Sequence, residues 1–198
     1  MTAAKSSAAG DPPARPAARP PAPFGRLEAQ AREIAALAAE PDAALLARAP
    51  RVSAWTVAQQ LEHVGLTSAR MLDAIEAILA DPDAPPRGGP TFTGRMILWL
   101  GRIPRGRAKS RPEWAPEDAS PERARRELGP LGGRLAALAR QAGELAAACG
   151  TRAHPFLGQF DARRWLRFLA MHQEHHLRLV RDIRAAAGLP RRPPGSGA

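Results

Sequence analysis

The chain has no tyrosine and a single cysteine, Cys149, in 198 residues. One thiol excludes an intramolecular disulfide and a cysteine-based zinc site, and it fits a reducing compartment. Long apolar runs are also missing. The longest candidate, MILWLGRI, falls far short of the ~20 residues a spanning helix needs. The N-terminal stretch MTAAKSSAAGDPPARPAARPPAP has no apolar core of the signal-peptide kind. A soluble, cytoplasmic protein with no transmembrane segment is expected. Aromatic residues make up only 5% of the chain, and much of the 44% hydrophobic fraction is alanine, so large core-forming side chains are few.

Acid is absent from one segment. Between Arg95 and Arg111 stand Arg95, Arg102, Arg105, Arg107, Lys109 and Arg111 and no carboxylate, which accounts for most of the net charge of +10. The tails carry most of the remaining excess. A nucleic-acid binder needs its cations on a structured face, and here they lie in tails and a connection, so nucleic acid is not an expected partner. The expected partners are a small-molecule substrate and a second copy of the chain, as a homodimer.

What remains reads as helix. Residues 1–23 and 191–198 are Pro/Ala- or Pro/Gly-rich tails of the kind that stay disordered, and they flank one domain over 24–190. A first helix over about Gly25–Ala39 offers Leu27, Ile34 and Leu37 as its apolar stripe. A second starts at Thr56, which forms a capping box with Gln59, and runs to about Ala80. A third starts after Ser120 with Pro121 in its first turn. It reaches about Gly150, kinked or frayed at Gly129-Pro130 and Gly132-Gly133. A fourth starts after Asp161 and stops at Gly188. No strand is expected. Four amphipathic helices predict an all-α, up-and-down four-helix bundle. The link between the second and third helices, about Asp81–Ala119, includes GRMILWLGRI, a candidate short helix.

The five histidines are not scattered. In the fourth helix Trp165, Leu169, His172, His176, Leu179 and Ile183 recur at spacings of four and three, the seam of a core-facing helix. His172 and His176 thus occupy inward positions, while His175 lies about 100° round the helix. Buried imidazoles need partners for their nitrogens. A hydrogen-bonded core pair meets that need, and so does a metal held by residues at i and i+4. His63 lies two turns into the second helix, on a face with Gln60, Thr67 and Met71. It either adds a third imidazole or is a partly exposed histidine near a helix start. His154 precedes a proline and reads as a loop histidine fixing a turn, or as a residue at the mouth of a site. Glu62 and Glu174 read as solvated surface carboxylates.

AWTVAQQLEHV together with HPFLGQFDARRWLRFLAMHQEHHLRLV resembles the DinB-like superfamily. The likeness is to its branch of bacterial domains with H-P-x-x-G, a tryptophan and H-x-x-H-H-L, and it spans roughly Arg51 to Ile183. The resemblance implies a DinB-like bundle with a metal triad of His63, His172 and His176. It also implies a divalent transition metal such as Zn, Ni or Fe. The implied function is a metal-dependent enzyme that activates a water or small thiol, a hydrolase or thiol transferase. The alternatives are a non-catalytic metal-binding or stress-related protein, and an interaction module using the basic segment 95–111. Family members often carry glutamine three positions after the last ligand histidine, where this chain has Leu179. The basic segment follows the end of a helix whose start carries His63, which separates the two by ~35 Å over about 24 residues unless the link folds back. Ile97, Leu98 or Trp99 is expected to pack on the bundle, with the arginines solvated.

Overall fold

The computed structural model describes residues 22–106 and 112–193. Its elements run α1 (Ala22–Ala38), a one-turn α2 (Asp42–Leu45), α3 (Val57–Leu79), α4 (Phe92–Leu100), a 3-10 turn (Pro112–Trp114), α5 (Pro121–Leu128), α6 (Leu131–Arg140), α7 (Ala142–Ala147), β1 (Arg152–His154), β2 (Gly158–Phe160) and α8 (Ala162–Ala186). Among the described residues no helix is long and apolar enough to cross a membrane.

The starts of the long helices follow local chemistry. Thr56 and Gln59 exchange hydrogen bonds of 3.2 and 3.0 Å in the capping box that opens α3. Ser120 caps α5 ahead of Pro121, and Asp161 caps α8. α1 packs on α8 and on α5 and α6, while α3 packs on α8 and α5. The result is a four-cornered, all-α bundle. Leu27, Ile34 and Leu37 of α1, with Trp165, Leu169 and Ile183 of α8, are buried as their periodicity predicts.

The third arm departs from one kinked helix. It is three short helices, because Gly129 and Pro130 end α5, and the chain leaves helical geometry again at Gln141 (φ −97°, ψ 20°). Arg134 of α6 ties this arm to α3 through Glu76 and Asp73 at 2.7 and 2.8 Å. Arg125 of α5 donates to the carbonyls of Ala38 and Glu40 at 2.9 and 3.0 Å, capping the end of α1.

Two strands, absent from the sequence reading, form an antiparallel hairpin with Arg152 opposite Phe160. Strands of three residues are too short to show alternation in sequence. Gly158 sits at φ 84°, where a side chain would strain the backbone. The N-terminal tail lies outside the described residues except for its last two, which belong to α1. At the other end Arg191 pairs with Asp182 at 2.6 Å, and Pro193 is buried.

Helices α3 and α5 approach so closely at Gly65 that a Cβ there would lie 2.7 Å from the Glu127 side chain and 2.8 Å from its backbone. Gly65→Ala is therefore expected to destabilise the fold by about 1–3 kcal/mol. The thermal midpoint should drop by about 2–4 °C per kcal/mol. Gly132→Ala in α6, where the added methyl meets nothing within 4 Å, should be neutral or stabilising by about 0.4–1 kcal/mol.

Candidate metal centre

Helix α3 presents His63 and helix α8 presents His172 and His176 to one point between them. Ring centroids lie 4.7 Å (His63 to His176), 5.3 Å (His63 to His172) and 4.6 Å (His172 to His176) apart. One ligand nitrogen from each ring lies within 4.8 Å of the others. His63 and His176 are buried, and His172 is half-buried. The structure thus brings together the three positions expected from the seam and the resemblance.

The nitrogens facing away from this point are tied down. His63 Nδ1–H donates to the Trp114 carbonyl at 2.7 Å. His176 Nδ1–H donates to Gln60 Oε1 at 2.6 Å, and Gln60 Nε2 donates in turn to Ser53 Oγ at 2.9 Å. His172 Nδ1 faces Thr67 Oγ1 at 3.5 Å, while the Thr67 hydroxyl donates to the His63 carbonyl at 2.6 Å. A carbonyl acceptor requires the proton on Nδ1, which leaves Nε2 as a lone pair. The donor set therefore fits a divalent transition metal, and the group can hold a metal ion.

Burial keeps the rings neutral. It is the main cause that holds His172 and His176 well below the usual imidazole range, followed at His172 by repulsion from His63 and at His176 by repulsion from His172 and His63. Burial also lowers His63, against the hydrogen bond to Trp114 that favours its charged form. Neutral imidazoles bind metal without first losing a proton.

His175 turns out of this group, as its position on α8 predicts. Its Nδ1–H donates to the Ile103 carbonyl at 3.2 Å, and its ring meets His176 edge-on at 5.0 Å. It forms one wall of a cavity of about 350 Å³ shared with Arg102, Arg105, Arg178, Met171 and Ile103. The Ile103 and Trp114 carbonyls show that the link after α3 folds back to the centre, so Arg102 and Arg105 do not stand a helix length away. Leu98 is buried and Ile97 half-buried on the bundle, whereas Trp99 is exposed. Arg95 and Arg102 are exposed, but Arg105 pairs with Asp182 at 2.6 Å rather than remaining free in solvent. Arg107, Lys109 and Arg111 lie outside the described residues.

Two carboxylates differ from the surface groups expected. Glu62 is fully buried under α5, with Arg123 Nη2 2.9 Å from its Oε1, an ion pair held by charge without an aligned hydrogen bond. Burial raises its pKa and Arg123 opposes the rise. Glu174 is half-buried and bonded to Arg178, Arg181 and Gln30. The seams α3 shares with α5, and α8 with α1, pass through these residues, a pairing that the sequence of one helix cannot show.

A profile described as the DinB superfamily matches residues 26–180. The chain belongs to the DinB superfamily. No curated protein and no solved structure matches it. In this DinB-superfamily chain the residue three positions after His176 is Leu179, whose side chain cannot hydrogen-bond. Support for His176 comes from Gln60 on the opposite helix instead. Gln60 lies on the same face of α3 as His63, and that spacing was the available signal. The Trp114 carbonyl had none, because backbone groups leave no trace in composition.

His154 sits in β1, outside the triad. Its Nδ1 accepts the Phe156 N–H at 3.2 Å, and its ring packs among Phe160, Trp165 and Phe168. It fixes the hairpin turn. Burial lowers its pKa from 6.5 to about 4. A neutral ring of this kind contributes stability that is complete above pH 6.5 and is lost as pH falls toward about 4. His154→Phe should remove that share, about 2 kcal/mol after discounting for partial exposure. Denaturant unfolding at a series of pH values should then show a shallower acid slope. The lost acceptor for Phe156 N–H adds only a pH-independent offset.

Proposed function

We propose that His63, His172 and His176 ligate a divalent transition metal, Zn, Ni or Fe, and that the chain is a metal-dependent hydrolase or thiol transferase. One observation carries this reading: three neutral imidazoles converge while their outward nitrogens are tied to Trp114, Gln60 and Thr67. A pair of core histidines could satisfy each other. Three with their lone pairs facing one another leave those lone pairs without a proton donor, and a cation that accepts the lone pairs meets the need instead.

Bound there, the metal supplies Lewis acidity that lowers the pKa of a water or a small thiol. The chain's own residues set the rest. Gln60, oriented by Ser53, and the Trp114 carbonyl fix the tautomer and angle of His176 and His63. Three protein ligands leave coordination positions open, as catalytic sites require. The cavity beside His175 is large enough for part of a small substrate, and Arg102 on its wall makes no ion pair with any described residue, which favours an anionic one. The second reading, a metal-binding protein without catalysis, rests on the commitment of Glu62 to Arg123 and of Glu174 to Arg178 and Arg181. Neither is free to act as general base.

Elemental analysis of protein purified without a histidine tag should find close to one transition metal per chain. His172→Ala and His176→Ala should each abolish retention through dialysis. Gln60→Leu should keep the fold but weaken metal affinity about 10- to 100-fold. Arg102→Gln with Arg105→Gln should leave metal content unchanged. In cobalt-substituted protein, a thiolate-to-cobalt charge-transfer band on adding a low-molecular-weight thiol supports the transferase form. Absence of metal in untagged protein, with no uptake on titration, refutes the proposal.

A further inference from the structure

The outer face of α4 has no role in the metal centre. This helix is apolar on two sides. Gly94 and Leu98 are buried and Ile97 half-buried against the bundle. Opposite them Phe92, Met96, Trp99 and Leu100 share an arc of about 100° and are 72%, 45%, 80% and 38% exposed. Phe156, 63% exposed, stands on the hairpin turn to which the start of α4 is fastened. The Thr91 N–H donates to the Leu157 carbonyl at 2.8 Å, and the Gln159 N–H to the Gly89 carbonyl at 3.0 Å. At Gly94 the helix approaches so closely that a Cβ would lie 2.4 Å from the Leu157 carbonyl oxygen. The exposed residues therefore stand on a braced platform.

The charge along this stretch of chain has one sign. No carboxylate occurs between Asp83 and Glu113, a stretch with seven cations. Arg87, Arg95 and Arg102 are exposed, and none makes an ion pair with a described residue. Large exposed apolar side chains grouped on one helix face mark an interaction surface. A second copy across a twofold axis would set these arginines against themselves. The first 21 residues of the chain are net basic as well, so they bring no complementary charge. Met96 and Leu100 offer no flat ring for a base to stack on, which disfavours single-stranded nucleic acid. An anionic bilayer meets both needs, with headgroups for the arginines and the acyl boundary for the tryptophan, phenylalanines and aliphatic side chains.

We propose that α4, with the adjoining hairpin tip, docks the protein reversibly on anionic phospholipid membranes, the helix lying in the interfacial plane. Leu100 belongs both to this face and to the wall of the cavity beside His175, so docking brings that cavity to the headgroup layer. The proposal stands apart from the metal chemistry, since none of its residues is a metal ligand.

The test sediments full-length, metal-loaded protein with vesicles of phosphatidylcholine alone or phosphatidylcholine mixed with phosphatidylserine. Binding to the mixed vesicles only is expected, falling as salt is raised. Phe92→Ser with Trp99→Ser should weaken it by at least about tenfold, and Arg87→Glu with Arg95→Glu should do the same. All four side chains are exposed, and unchanged metal content and thermal midpoint would verify that the variants fold. Failure to bind phosphatidylserine vesicles overturns the proposal. So does binding that survives Phe92→Ser with Trp99→Ser, which would be adsorption by charge alone. Self-association in sedimentation velocity that Trp99→Ser abolishes would identify a dimer interface instead. Binding of a labelled single-stranded oligonucleotide, lost in the same variants, would identify a nucleic-acid surface.

Discussion

Three imidazoles stand on the inward faces of two packed helices, and each buried ring nitrogen requires a partner. Much of the surrounding structure answers that requirement. Gln60 stands across from His176 and is itself held by Ser53. Thr67 spends its proton on the His63 carbonyl, leaving its oxygen toward His172. The Trp114 carbonyl reaches His63 only because the long connection after α3 returns to the start of that helix. The same return delivers the Ile103 carbonyl to His175. A long link that looks like a tether in the sequence is, in the fold, a wall of the histidine site.

Polar contacts also set the alignment of the helices that carry these rings. Gln173 donates to Ser68 at 3.2 Å between α8 and α3. Arg181 reaches Glu33 at 2.7 Å, and Arg184, almost wholly buried, reaches Glu40. Glu62 meets Arg123 beneath α5. Buried ion pairs add little net stability against well-packed apolar residues, but breaking one leaves an uncompensated charge in the interior. In this bundle they disfavour any sliding of α8 along α1, or of α5 along α3, that would separate the partners. Sliding of α8 along α3 would likewise separate the Gln173–Ser68 bond and pull His172 and His176 away from His63.

The hairpin completes the end of the bundle. His154 is held neutral among Phe160, Trp165 and Phe168, and Phe168 in turn lies beside His172, with ring centroids 6.2 Å apart. The hairpin also receives the first turn of α4 through Leu157 and Gly94. Thus one small sheet links the aromatic backing of the histidine site to the exposed apolar helix on the surface.

Much of this was legible from residue order. Capping residues placed the starts of α3, α5 and α8, and the spacing of Trp165, Leu169, His172, His176 and Ile183 identified the inward face of α8. Those signals are local, set by helix geometry and by which backbone groups lack partners at a helix end. Position on α8 also separated His175 from its neighbours. Tertiary structure alone decided the rest. It broke the third arm a second time at Gln141, and buried Glu62 and Glu174 in seams between helices. It folded the link back so that two of its carbonyls meet histidines. It left Trp99 outside while taking Leu98 in. Each of these depends on which surfaces meet at long sequence separation, and the periodicity of a single helix shows which side is apolar without saying what will cover it.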